Sequence, residues 1–202
     1  MTPEQTLPLY LKTATADRHQ QLDAKVSLDF TAPEVAIKAN YGRLLLATYR
    51  FVGCIEKPLN DYLEKHAPAP WEHRADRLPA LQKDLAGLSL ALPAPEPAMA
   101  FTSLAQALGF LYVLEGSALG GRVLYKQLRD VDAIAQCCDF AYHGVPAETL
   151  GSRWKTILQC LTMWLPVEAF ATAGEGAKAA FAHFETCLGQ SGETEQRHAP
   201  TY

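Results

Sequence analysis

No cluster of five or six basic residues occurs anywhere in this sequence, and its 18 Lys and Arg are outnumbered by 22 Asp and Glu, for a net charge of −4 and a pI near 5.9. The electrostatic footprint of a protein that grips nucleic acid or an anionic membrane is therefore missing. Uninterrupted apolar runs are short as well: the longest, Leu104 to Leu119, is broken by Gln106, Gly109 and Glu115, below the roughly 18 residues of a membrane span. Met1 to Leu9 holds Glu4 and no basic residue, which argues against a secretory signal. Cysteine is sparse and unpaired. Cys54, Cys137, Cys138, Cys160 and Cys187 are odd in number and form no C-x-x-C motif, as expected of reduced thiols in a cytosolic protein. Adjacent Cys137 and Cys138 would point about 100° apart on a helix, unsuited to a disulfide or a shared metal. Strand signals are also lacking, since no alternating run is joined to another by a two-residue hairpin turn.

What remains is a chain of 202 residues, 49% apolar, long enough for one domain with a substantial core. Every convincing periodicity is close to 3.6, so the fold class is all-α, with six or seven helices. The first is expected over residues 8–27, with Leu11, Thr15, Leu22 and Val26 on one stripe. A second opens at Thr31-Ala32-Pro33-Glu34, a capping-box pattern, and runs to about Lys57, where Pro58 should kink or restart it. Further helices are expected over 76–88, 99–129, 134–140, 147–164 and 168–188, with the proline-rich 92–97 as a connector. The domain should span residues 1–190, followed by a flexible polar tail over 191–202.

Two features depart from plain amphipathic helices. His19 lies four residues after Thr15, three before Leu22 and seven before Val26, so it should project from the apolar stripe toward the core. Asp23, one turn on, can accept a hydrogen bond from one ring nitrogen and leave the other for a metal. Lys12, seven residues back, should share that face about 10.5 Å away along a straight helix axis.

The second feature is the segment Tyr112 to Leu124, in which Gly116, Gly120 and Gly121 interrupt a helical pattern. Glycine costs a helix roughly 0.8 to 1 kcal/mol per position relative to alanine, about 2.5 to 3 kcal/mol for the set. Something must require bare backbone here. With Ser117, these positions make a smooth strip open to a flat ligand or a close helix, and a bend is expected.

Leu11 to Asp23 and the glycine segment together resemble the heme oxygenases, in particular the bacterial biliverdin-forming type found beside bacteriophytochromes. The first segment is similar to the family's proximal helix and the second to its kinked distal helix. Weaker similarity extends through Arg77 to Leu85, Phe140 to Gly144 and Gly151 to Trp154. The resemblance implies a single helical domain holding heme, as both substrate and cofactor, between these two helices. His19 is then the iron ligand, with Thr15 and Asp23 beside it. Gly116, Ser117, Gly120 and Gly121 form the opposite, catalytic wall. Lys12 meets one propionate, and Arg153 or Lys155 meets the other. O2 and an external reductant then yield biliverdin, carbon monoxide and Fe(II). The donor is a ferredoxin, a flavodoxin-type protein or a reductase, and a bacteriophytochrome can receive the product.

Two departures accompany the resemblance. Ser117 stands where many members carry Asp, leaving a hydroxyl without charge and proton delivery to backbone and water, and Asp23 is a methylene shorter than the usual Glu. The remaining histidines, His66, His73, His143, His183 and His198, show no i+4 pairing and predict no second metal site. Trp154, Trp164, Phe181 and Phe184 are expected to pack the core. Competing readings are a non-catalytic heme carrier or sensor, an enzyme acting on a thiamine-like substrate through a pocket cysteine, and a helical interaction protein.

Overall fold

A computed structural model describes residues 6–72, 74 and 76–196 and contains α-helices, one 3-10 turn and, among the described residues, no strand. The helices are α1 (Leu7–Ala14), α2 (Ala16–Val26), α3 (Glu34–His66), α4 (Arg77–Gly87), α5 (Leu104–Leu128), α6 (Asp132–Ala135), α7 (Ala147–Met163) and α8 (Phe170–Gln196). The last helix continues past residue 190, and residues 197–202 of the expected tail lie outside the described residues, as do His73 and His198.

The expected first helix is two helices. At Thr15 (φ −112°, ψ 3°) the chain leaves helical geometry, while the Thr15 hydroxyl donates to the Leu11 carbonyl at 2.7 Å. A threonine bonded back to residue i−4 bends a helix, and here Thr15 is buried at the bend. Leu7 and Leu11 of α1 are fully buried, whereas no residue of α2 is. The straight-axis separation expected between Lys12 and His19 therefore does not apply.

Pro58 does not interrupt α3. A proline removes the N–H that would bond the carbonyl four residues earlier, which is that of Cys54. That carbonyl instead accepts from the Met99 N–H at 2.9 Å, so the connector before α5 repairs the helix it crosses. The capping box expected at Thr31 and Glu34 is not formed: Thr31 bonds Asp29 through both its N–H and its hydroxyl. Glu34 reaches across to the Ala133 N–H at 2.8 Å, tying the start of α3 to α6. Helix α5 begins later than expected, because Ser103 caps it by accepting the Gln106 N–H.

The core forms where α5 crosses α8 and α8 packs on α3. The close approach of α5 and α8 needs two glycines: a Cβ on Gly109 would collide with backbone at 173–177, and one on Gly176 would lie 2.6 Å from the Gln106 carbonyl oxygen. Helix α5 is long and apolar enough to cross a membrane by length and composition, with a mean hydropathy of 1.2 in its most apolar window. Its buried face nonetheless carries Glu115, a member of a charge cluster that joins four helices.

In that cluster Arg77 of α4, 2% exposed, lies 2.6 Å from Glu56 of α3 and 2.8 Å from Glu115 of α5. Arg153 of α7 donates to Glu115 at 2.9 Å and to the Glu72 carbonyl at 2.7 Å, and it stacks over Trp71. Burial would raise the Glu115 carboxyl, but the two guanidinium groups outweigh it and hold the group below the usual range. Glu56 is paired directly with Arg77, with Arg74 acting from further away, and there burial prevails and raises it. Replacing Arg77 by Met leaves two buried carboxylates short of a partner, which should cost about 3–5 kcal/mol. Urea denaturation of Arg77→Met against the parent chain measures this directly.

Candidate functional site

A cavity of about 420 Å³ opens between α2 on one side and the glycine segment of α5 on the other, in the size range of small-molecule sites. Leu22 and Val26 of α2, Phe51 of α3, Leu124 of α5 and Phe181 and Phe184 of α8 make its walls largely apolar. No lysine or arginine is among its lining residues. Phe181 is buried in the core, as expected, with Phe184 and Trp154 packed against it, and all three also line the cavity, while Trp164 is buried against Trp71. The i, i+3 spacing of the two phenylalanines indicates a shared face but not what that face meets.

His19 lines the cavity from α2. Its Nδ1 lies 2.8 Å from Asp23 Oδ2, the direct contact that the i, i+4 spacing predicts. With Nδ1 held, Nε2 is the nitrogen left for a metal or ligand. The side chain is 66% exposed, contrary to the expectation that it points into the core. The reason lies in α2 itself, which forms the rim of an open cavity and buries no residue of its own. The Phe181 ring stands edge-on to the imidazole, 6.0 Å between centroids.

Opposite stand Gly116, Ser117, Gly120 and Gly121, all four at the cavity. They are not equivalent. A Cβ on Gly120 would meet nothing within 4 Å, and one on Gly116 would make ordinary contact with the Trp154 ring at 3.5 Å. Gly121 is different: an added Cβ would run into the His143 ring, lying 3.0 Å from Nε2. Gly120 therefore faces open space, Gly116 lies against the Trp154 ring with room for no more than a methyl group, and Gly121 makes room for a side chain of the protein. The Ser117 hydroxyl is spent on the Leu114 carbonyl at 2.9 Å. The glycines do not break α5, which is continuous through all of them.

His143 is the cavity residue that sequence reasoning passed over. It sits in the loop after α6, 7% exposed, with Nδ1 3.1 Å from the Tyr41 hydroxyl. Burial pushes its pKa down to about 4, so the ring is neutral near pH 7. A loop histidine without an i+4 partner carries no periodicity signal. The available clue was its place in the Phe140 to Gly144 segment, which the structure joins to Asp84 of the Arg77 to Leu85 segment.

Several other expected residues lie elsewhere. Thr15 is buried at the bend and is not at the cavity. Arg153 is held by Glu115 and the Glu72 carbonyl and is likewise not at the cavity. Lys12 and Lys155 are exposed, on α1 and α7.

His143 makes stability depend on pH. An unfolded histidine titrates near 6.5, so below that value the unfolded chain binds a proton that the folded chain refuses. Stability falls as pH drops, by about 2 kcal/mol between pH 7 and pH 5, and the loss levels off near pH 4. Denaturation at both pH values should show this extra loss in the parent chain and not in His143→Leu.

No protein-family model matches the chain. It is 34% identical over 149 residues to a heme oxygenase of Xanthomonas campestris pv. campestris, a match covering 73% of this chain and 88% of the relative. It is 30% identical over 183 residues to the heme oxygenase PigA of Pseudomonas aeruginosa, covering 88% and 89%. Its fold is similar to the crystal structure of the NO- and CO-bound heme oxygenase from Neisseria meningitidis, with a TM-score of 0.66, 26% identity and 92% of each chain covered.

Proposed function

This chain belongs to the heme oxygenase family and degrades heme to biliverdin, and we propose that it does so in the cavity between α2 and α5 with His19 as the iron ligand. The observation that carries this assignment is the pairing across the cavity. A histidine with one nitrogen held by Asp23 faces a helix wall where Gly116 and Gly120 present no side chain. The apolar walls suit a macrocycle, and the open rim at α2 leaves a route for its charged edge to reach water. When bound, heme supplies both the iron that activates O2 and the carbon skeleton that is oxidised, with carbon monoxide and Fe(II) released.

The residues of this chain perform the remaining work. Asp23 accepts from His19 Nδ1–H and so keeps Nε2 unprotonated and aimed at the cavity. As a neutral imidazole, His19 would hold the iron through Nε2 and would donate less electron density to it than a thiolate does. Gly116 and Gly120 leave space for a small diatomic ligand beside the wall, and the phenylalanines of α8 exclude bulk water. Thr15 serves by bending the chain so that α2 can lie across the rim. Among the cations, we assign Lys12 and Lys155 to the propionates, since both are exposed, while Arg153 stays with the buried charge cluster. Electrons come from an external donor, a ferredoxin, flavodoxin-type protein or reductase, and a bacteriophytochrome is a recipient suited to the product.

One equivalent of hemin should give a Soret band that is lost or displaced in His19→Ala. With reductant in air, the parent chain should convert that band to the broad red absorption of biliverdin. A band independent of His19 would refute the ligand assignment. Gly120→Ala should separate stability from function. It adds a methyl group in open space to a helix, which should stabilise the ligand-free chain by up to about 1 kcal/mol, yet slow biliverdin formation by crowding the wall. Thermal melts and turnover of the same sample check both signs.

A further inference from the structure

We propose that His143 is the hydrogen-bond donor of the glycine-side wall, directing its Nε2–H past Gly121 toward a ligand on the heme iron. This inference rests on the heme assignment above and concerns a residue outside the glycine segment itself.

Three sets of contacts support it. The first fixes the position of the loop. Asp84 of α4, fully buried, accepts the Ala141 N–H at 2.7 Å and the Tyr142 N–H at 2.9 Å on its two carboxylate oxygens. The Gly144 N–H closes the turn onto the Phe140 carbonyl at 2.6 Å. Phe140 adopts φ 53°, a left-handed conformation that costs a bulky residue energy and persists where the surroundings impose it. The loop is thus held in one arrangement, with His143 turned to the cavity.

The second set fixes the tautomer. Tyr41 is fully buried, and burial raises its pKa, so the hydroxyl keeps its proton. Two acceptors adjoin that proton: His143 Nδ1 at 3.1 Å and the sulfur of Cys138. An imidazole nitrogen is a much stronger acceptor than sulfur, so Tyr41 donates to Nδ1. The ring proton then resides on Nε2. Among the described residues Nε2 has no hydrogen-bond partner, and the ring edge that carries it lies where a Cβ on Gly121 would stand.

The third is that several other polar side chains at the cavity are engaged elsewhere. Ser117 is bonded to Leu114 O, and the Thr48 hydroxyl to Leu44 O. The Tyr142 side chain lines the cavity beside His143, near the charge cluster around Arg77, and Asp23, across the cavity, is bonded to His19. Tyr112 packs against Trp154 toward the other end of the glycine segment. A neutral buried donor next to Gly121 thereby supplies the polar contact that Ser117 does not.

The experiment uses the full chain with one equivalent of hemin, reduced under carbon monoxide, and reads the C–O stretching frequency by infrared spectroscopy. A donor on the bound ligand lowers that frequency. His143→Leu should raise it relative to the parent chain, His143→Gln should restore part of the shift, and Tyr41→Phe should broaden the band by releasing the tautomer. Biliverdin formation should fall about tenfold in His143→Leu, the loss of roughly one hydrogen bond. In the ligand-free chain, nitrogen-15 spectra of labelled histidine should show His143 protonated at Nε2, a readout that needs no heme. Equal C–O frequencies in the parent and both His143 variants would overturn the proposal, as would a proton on Nδ1. If His143→Leu does not fold, His143→Gln and Tyr41→Phe carry the comparison. Absence of a Soret band in the parent chain would instead remove the heme assignment, and the proposal with it.

Discussion

The guanidinium of Arg77 sits at the meeting point of α3, α4 and α5, and through Glu115 it is joined to Arg153 of α7. Charges this deeply buried are tolerable only when partnered, so the cluster permits few arrangements of these helices. Its consequence for the site is rotational. Glu115 adjoins Gly116, and a residue fixed on the buried side of α5 sets which way the following turns face. With Glu115 turned to the arginines, Gly116, Gly120 and Gly121 turn to the cavity.

From this anchor the cavity acquires two unlike sides. The α5 side is rigid, backed by the crossing with α8 and by the Asp84 contacts that hold the loop at 140–144. The α2 side buries no residue, and its histidine is two-thirds exposed. Few buried contacts mean low local stability, so motion that admits and releases a large ligand belongs on this side. A firm wall at α5 and a yielding rim carrying His19 is a division of labour that suits one cavity serving both binding and chemistry.

Carboxylates, three of them buried, recur as organisers throughout. Glu115 and Glu56 hold arginines, Asp84 holds two backbone N–H groups, and Glu34 holds one. In each case the acidic group bridges segments far apart in sequence, which hydrophobic burial, being non-directional, cannot specify. The helix breaks follow the same logic. Pro58 passes without a break because Met99 supplies the missing hydrogen bond to Cys54, whereas Thr15 makes one through its own hydroxyl.

Helical class, the identity of the main helices, the His19–Asp23 pair and the glycine wall were legible in the amino-acid sequence, because each depends on spacings of three or four residues along one element. Periodicity also indicated that Phe181, Phe184 and Trp154 share apolar faces. It could not tell core from cavity, since both are apolar and differ only in whether something packs opposite. The role of Gly121, the engagement of Arg153, the exposure of His19 and the placement of His143 were decided by tertiary structure alone. The exposure of His19 follows from the open rim on which α2 lies, and the others rest on contacts between residues far apart in sequence, such as Tyr41 with His143 or Arg153 with Glu115; no local pattern encodes which distant partner a side chain will meet.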